Sequence, residues 1–277
     1  MRHHEETFSG RVGLNIHLNS WLPDEPDAHS VVVLAHGFGE HSGRYANVVN
    51  ALVPQGYAVY APDHRGHGKS EGHRALIDNH EYLLDDMDQV FSIAAQRHPG
   101  RPTFLIGHSM GGNIALGSAL RRDAHLRGLV LSGPAVTNHG ISPVLVAIAP
   151  LLGRIAPKLG TIKLSAAGVS RDQAVVAAYE ADPLVFHGKI PAGTGGALIR
   201  TSKEFPARLP QLSVPLMVVH GSADSLVSPE SGKTAHRLAG STDKTLKIYD
   251  GLFHEVFNEP EHPTVVADLL AWLEAHR

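Results

Sequence analysis

Cysteine is missing from all 277 residues. Its absence excludes disulfides, thiolate metal sites and a cysteine nucleophile. Blocks of like charge are missing too. Lysine and arginine number 24 against 27 aspartates and glutamates, a net charge of −3, so nucleic acid is not the expected partner. Long apolar runs are scarce. The richest stretch, residues 143–152, is too short to cross a bilayer, and residues 1–8 lack the apolar segment of a secretory signal. A cytoplasmic location is expected, with room for peripheral contact with a membrane. Low-complexity segments and internal repeats are absent as well.

Histidine, by contrast, is plentiful at 20 residues. No H-E-x-x-H pair occurs, His3 and His4 are expected on a mobile terminus, and several others flank glycines in turns. Neither a metal nor any other cofactor is therefore expected. Apolar residues make up 43% of the chain and charged residues 18%, ordinary values for a globular protein that builds its core without metals or disulfides.

The apolar pattern then sets the fold class. Residues 12–22 alternate and break at Pro23, which predicts an early antiparallel strand or hairpin. Short apolar runs at 30–35, 58–61, 103–106 and 127–131 read as strands. Helical spacing at 44–54, 82–96 and 110–120 separates them. This alternation predicts an α/β fold, a mostly parallel sheet of about eight strands flanked by helices. From 134 to 206 the strand rhythm stops, and prolines punctuate short apolar pieces. This segment is expected to be a helical cap, inserted into a core made of residues 1–133 and 207–277. Strands at 214–219 and 245–249, with helices at 229–238 and 263–276, complete the core.

The chemistry centres on Gly107-His108-Ser109-Met110-Gly111, a G-x-S-x-G pentapeptide. The pentapeptide alone is weak evidence. Its setting strengthens it, because an apolar strand precedes it and a small-residue helix follows. Such a turn projects the serine hydroxyl above the sheet. A serine needs a base, and His254 follows the last strand, where a loop can reach back over the nucleophile. His262 and His276 sit beside or within the closing helix and fit less well. Asp224, after the strand at 214–219, is the acid that orients the imidazole; Asp250 is only four residues from His254 and follows the wrong strand. The chain order Ser109, Asp224, His254 suits such a fold. Backbone N–H groups of Met110 and Phe38 are the expected oxyanion donors, Phe38 lying in the glycine-rich loop after the strand at 30–35. The segment Asp63–Ser70 lacks phosphate-loop spacing and reads as a tight structural loop near the site.

Taken together, HGFGEHSGRY (36–45), DHRGHGKS (63–70), GHSMGG (107–112), DPL (182–184), HGSAD (220–224) and HEVFNEP (254–260) resemble the monoacylglycerol lipases of the α/β-hydrolase superfamily. The resemblance runs from about residue 8 to 275. It implies a serine hydrolase that splits monoacylglycerol into fatty acid and glycerol, with the same triad and oxyanion donors. It also implies that Glu40, Arg44, His108 and Tyr179 lie near the glycerol end of the site. Phe38 stands where relatives commonly carry a small residue or leucine. Apolar residues of the cap, among them Leu145 and Ile148, are expected to line an acyl channel or to dip into a membrane surface. The expected partner is a monoacylglycerol or related single-chain lipid ester, and the expected assembly a monomer or homodimer. A lysophospholipase or general carboxylesterase would use the same triad.

Overall fold

Ser30–Ala35, SVVVLA, is buried along its whole length. Its side chains alternate between two cores: Val31, Val33 and Ala35 face one cluster, Val32 and Leu34 the other. A strand apolar on both faces belongs in the middle of a sheet covered by helices on both sides. In the computed structural model, which describes residues 1–24, 27–122 and 125–277, that is where it lies.

Eight strands form one sheet in the order β1-β2-β4-β3-β5-β6-β7-β8. They are β1 (Arg2–Ser9), β2 (Asn15–Leu22), β3 (Ser30–Ala35), β4 (Tyr57–Pro62), β5 (Thr103–His108), β6 (Gly128–Ser132), β7 (Leu216–Gly221) and β8 (Lys244–Tyr249). The run from β4 through β3 to β8 is parallel, and β1 and β2 add antiparallel at one edge. Helices α1 (Ala46–Leu52) and α8 (His262–Ala275) contribute to one core. Helices α2 (His80–Arg97), α3 (Met110–Arg122) and α7 (Pro229–Leu238) contribute to the other. This is the α/β architecture expected from the strand–helix rhythm.

One expectation is corrected. His3 and His4 do not stand on a mobile terminus but lie in β1, paired with Trp21 and Ser20 of β2. The His3 ring stacks on Trp21 at 5.0 Å, and its Nε2 lies 2.7 Å from Asn19 Oδ1. The strand was hard to see because residues 2–5 are all exposed and polar, so no apolar alternation marks them. Its charges instead protect a sheet edge, with Glu6 taking a two-pronged bond from Arg97 at 2.6 and 2.8 Å.

Residues 134–206 add no strand to the sheet. They hold α4 (Pro143–Ile155), α5 (Gln173–Ala181) and α6 (Ala192–Arg208). Helices α4 and α6 cross closely because small residues face each other. A Cβ on Gly153 would stand 2.6 Å from the Ala192 carbonyl, and one on Gly196 2.7 Å from that of Ala149. Helix α6 runs through Pro206 to Arg208, so the boundary expected at 206 falls inside a helix. Proline there removes one donor in the last turns without ending the helix at once.

Candidate active site

The parallel strands end on one side of the sheet, and their following loops carry the chemistry. Strand β5 ends at His108 and α3 begins at Met110, leaving a single residue, Ser109, to make the turn. Its φ is +56°, a left-handed conformation that costs a non-glycine residue free energy. The surrounding backbone holds it there. Ser109 N–H donates to Ser132 O at 2.9 Å, and its own carbonyl accepts from Gly112, Asn113 and Ala135. The tight return needs glycine: a Cβ on Gly107 would lie 2.4 Å from the Gly111 carbonyl oxygen.

His254, on the loop after β8, and Asp224, on the loop after β7, meet beside this turn. His254 Nδ1 lies 2.6 Å from Asp224 Oδ2, and both residues are buried. Asp224 is well supplied with donors. His220 Nε2 donates to Oδ2 at 3.0 Å, and the backbone N–H groups of Leu226 and Val227 donate to Oδ1. Burial pushes its pKa up, but His254, His220 and the backbone donors outweigh burial and hold it well below the ordinary carboxylate value. For His254 burial is likewise the largest influence and disfavours the cation. The Asp224 carboxylate, helped by Glu255 and Glu40, prevails and holds the imidazole pKa above 6.5. His108, its ring 4.6 Å from that of His254, is driven by burial and by His254 down to about 3 and stays neutral.

Ser109 and His254 open into one narrow chamber of about 40 Å³, with Gly37, Phe38, Glu40, His108, Tyr179 and Glu255 among its walls. It shares Phe38, Leu164, Ser165, Ala166 and Tyr179 with a wider cavity of about 340 Å³ that extends to Phe186 and Gly188. The N–H groups of Phe38 and Met110 have no protein acceptor among the described residues.

One end of the chamber is polar. Glu40 Oε1 accepts from Gly37 N–H and Tyr45 OH, both at 2.6 Å, and Glu40 Oε2 accepts from Arg44 Nε at 3.2 Å. Arg44 Nη2 bonds Glu255 Oε2 at 2.6 Å, and its guanidinium lies 4.7 Å from the Tyr179 ring centre. Two buried carboxylates thus share one arginine, so each buried charge is paired.

The structure therefore brings Ser109, Asp224, His254, Phe38, Met110, Glu40, His108 and Tyr179 to one place, and Arg44 joins them through Glu40 and Glu255 without lining either cavity. Leu145 and Ile148 are not among the residues lining either cavity, and Ile148 is 52% exposed. Glu255, Leu164 and Phe186 line the cavities but were not singled out from the sequence. Glu255 directly follows His254, and that adjacency was the available signal. Asp250 takes Ser222 Oγ at 3.0 Å and plays no part in the Asp224–His254 pair.

A serine on a strained strand-to-helix turn, with aspartate and histidine following in that chain order on later loops of a mostly parallel sheet, defines the α/β-hydrolase class. The chain belongs to the family described as serine aminopeptidase, S33, whose model matches residues 26–261. It is 45% identical to a monoacylglycerol lipase of Mycolicibacterium smegmatis, over 98% of this chain and 97% of that one. It is 35% identical to the human monoglyceride lipase, over 83% of this chain and 77% of that one. The crystal structure of a monoacylglycerol lipase from Paleococcus ferrophilus is 30% identical. It superposes with a TM-score of 0.85 over 95% of this chain and 99% of that chain.

Proposed function

We propose that this chain hydrolyses monoacylglycerols to fatty acid and glycerol through an acyl-enzyme on Ser109. The observation that carries the reading is the chamber over Ser109. One wall holds the Asp224-paired His254, and one end holds the buried Glu40–Arg44–Glu255 network. His254 takes the Ser109 proton as Oγ attacks the ester carbon. The carbonyl electron pair moves to oxygen, where Phe38 and Met110 N–H groups stabilise it. His254 then protonates the departing glycerol oxygen. Water, deprotonated by His254, cleaves the acyl-enzyme and restores the serine proton. The hydroxyls of the glycerol meet Glu40, Glu255 and Tyr179, with Arg44 bonded to both carboxylates. The acyl chain follows the wider cavity past Phe38, Leu164, Ala166 and Phe186, rather than Leu145 and Ile148.

Residues 134–206 act as a cap on a core of residues 1–133 and 207–277. Contacts from this segment to the site loops support that role. Phe186 N–H donates to Gly39 O at 2.7 Å, His41 Nε2 lies 2.9 Å from Asp182 Oδ2, and Glu255 N–H donates to Val169 O. The outer face of the cap contacts a lipid surface. Val144, Ile148, Leu151 and Ile155 recur at helical spacing on α4 and are 52–73% exposed. No helix among the described residues is long and apolar enough to cross a membrane.

Fatty-acid release from monoacyl-, diacyl- and triacylglycerol, with lysophosphatidylcholine alongside, tests the substrate. Monoacylglycerol should give the highest kcat/KM. Equal turnover of lysophosphatidylcholine would move the function to a lysophospholipase. Presenting the same monoacylglycerol in vesicles tests the outer face: a Leu151→Asp, Ile155→Asp double variant should lose activity there but keep it on a dissolved short ester.

The pH profile tests His254. It must be neutral to accept the serine proton, and its pKa lies above 6.5. Activity should therefore fall as pH drops through a midpoint above the ordinary histidine value. The stability contributed by the ion pair runs oppositely: it is full at pH below 6.5 and is lost as pH rises through that midpoint. Asp224→Asn should lower the midpoint and reduce kcat by about 10⁴-fold. An unchanged acid limb in this variant would remove Asp224 from the assignment.

A further inference from the structure

The chamber over Ser109 encloses about 40 Å³ and the cavity beside it about 340 Å³. A void of the smaller size holds roughly three water molecules, far less than a fatty chain needs. An acyl chain on Ser109 must therefore leave the chamber within its first carbons. Five residues line both spaces and so surround the passage: Phe38, Leu164, Ser165, Ala166 and Tyr179. Four of them lie within residues 134–206. Phe38 alone comes from the loop after β3, the loop that supplies the proposed oxyanion N–H. A residue whose N–H reaches the ester oxygen carries its side chain within a few bonds of the carbonyl carbon. The Phe38 ring therefore meets the chain at its start, not at its tail.

That ring is not free to swing aside. His67, in the Asp63–Ser70 loop, meets it at 5.8 Å with the planes 81° apart. Phe186, in the loop after α5, meets it at 6.2 Å and 89°. Both are the edge-to-face contacts that aromatic rings favour. Each brace is itself held. His67 is buried, its Nδ1 lies 3.1 Å from the Arg65 carbonyl oxygen, and burial drives its pKa down to about 3, so it meets Phe38 as a neutral ring. Phe186 N–H donates to Gly39 O at 2.7 Å, which ties its backbone to the residue after Phe38. Gly188 leaves space for the Phe186 ring: a Cβ there would stand 2.4 Å from Phe186 Cζ.

We infer that the Phe38 side chain determines which acyl groups are accepted: braced between His67 and Phe186, it narrows the passage from the chamber to the wider cavity, admits an unbranched chain and rejects one branched at the carbon next to the carbonyl. Phe38 acts by its bulk, and Phe186 acts through Phe38 as a positioning residue. The inference rests on the acyl path and the oxyanion role proposed above.

The test compares kcat/KM for glycerol monohexanoate and glycerol mono-2-methylhexanoate, which share the alcohol and differ by one methyl group. Wild type should favour the linear ester by about 10- to 200-fold, the range one misplaced carbon commands in a fixed apolar site. Phe38→Ala keeps the backbone N–H and removes the ring, so this ratio should fall by about tenfold or more. Phe186→Ala frees the Phe38 ring, and the ratio should fall by about two- to tenfold, as for the loss of one edge-to-face pair. Both esters are read on one preparation, so partial unfolding lowers both rates and leaves the ratio unchanged. Propyl and isopropyl hexanoate place the branch on the alcohol side instead, and their ratio should change by less than about threefold in Phe38→Ala. Equal turnover of the two glycerol esters by wild type, an unchanged ratio in Phe38→Ala, or an equal fall in the alcohol-side ratio would overturn the inference.

The double variant Phe38→Ala, Phe186→Ala separates the two roles. With the Phe38 ring gone Phe186 has nothing to brace, so the double variant should match Phe38→Ala alone. A further fall as large as that of Phe186→Ala by itself would place Phe186 against the chain and overturn its role as a brace. A wild type that cleaves propyl hexanoate but not glycerol monohexanoate counts against the monoacylglycerol reading only. The passage is then read from propyl hexanoate against propyl 2-methylhexanoate, with the same expected ratios. Inactivity on every ester overturns both the proposed reaction and the passage.

Discussion

Ser109→Ala should lower kcat on monoacylglycerol by about 10⁴-fold or more while leaving the melting temperature unchanged. The two halves of this expectation have separate causes. Without Oγ no acyl-enzyme forms, and the Asp224–His254 pair, still bonded at 2.6 Å, has no proton to move. Alanine occupies the same left-handed φ of +56° as serine, so the strain of the turn is retained. Ser109→Gly should be equally inactive yet more stable by about 1 kcal/mol, because glycine adopts that conformation without the steric cost. Turnover and calorimetry on the two variants check both halves. Near-normal ester hydrolysis by Ser109→Ala would remove Ser109 from the mechanism, and identical melting temperatures for the alanine and glycine variants would remove the strain.

Gly111→Ala is the second large effect, and it acts on the fold. Gly111 lies in the first turn of α3, where that helix passes over the end of β3. An added Cβ would stand 2.0 Å from the Ala35 carbonyl oxygen and 2.5 Å from that of His36. Both atoms are backbone, one in the middle of the sheet and the other beside the Gly37–Phe38 turn, so neither can swing aside as a side chain would. Overpacking of this kind should cost about 3 kcal/mol or more. Against a total stability of about 5–15 kcal/mol for a typical domain, that is a large share. Gly195→Ala is the control. Gly195 is inside helix α6, nothing lies within 4 Å of its would-be Cβ, and alanine there should stabilise by about 0.5–1 kcal/mol. Denaturant unfolding of the two variants measures the difference. Similar midpoints for both would mean that α3 can move away from β3 at little cost.

The inner strands of the parallel sheet were legible because burial on both faces demands unbroken apolar runs. Ser30–Ala35 was read to the residue, and Tyr57–Pro62, Thr103–His108 and Leu216–Gly221 within two residues at each end. Strand β1 was not legible, because an edge strand with polar side chains has no periodicity to read. In the site, Ser109, Asp224 and His254 could be named from loop position, since each follows a recognisable strand. Leu145 and Ile148 were chosen for being apolar in an apolar segment. Helix α4 turns one face to α6 and leaves Val144, Ile148, Leu151 and Ile155 outward, a choice of face that composition does not contain.

The sequence by itself determined the α/β class, the order of the elements, and the serine, aspartate and histidine on their loops. Each of these follows from local rules: apolar periodicity, turn chemistry and position after a strand. Tertiary structure alone decided the rest. It paired His220 as well as His254 with Asp224. It joined Glu40 and Arg44 to Glu255 across more than two hundred residues. It set the His36 ring between the Gly37 carbonyl and the His64 N–H. The reason is physical. A buried polar group must find a partner of opposite hydrogen-bonding kind, and which partner comes within reach depends on how the strands are ordered in space, not along the chain.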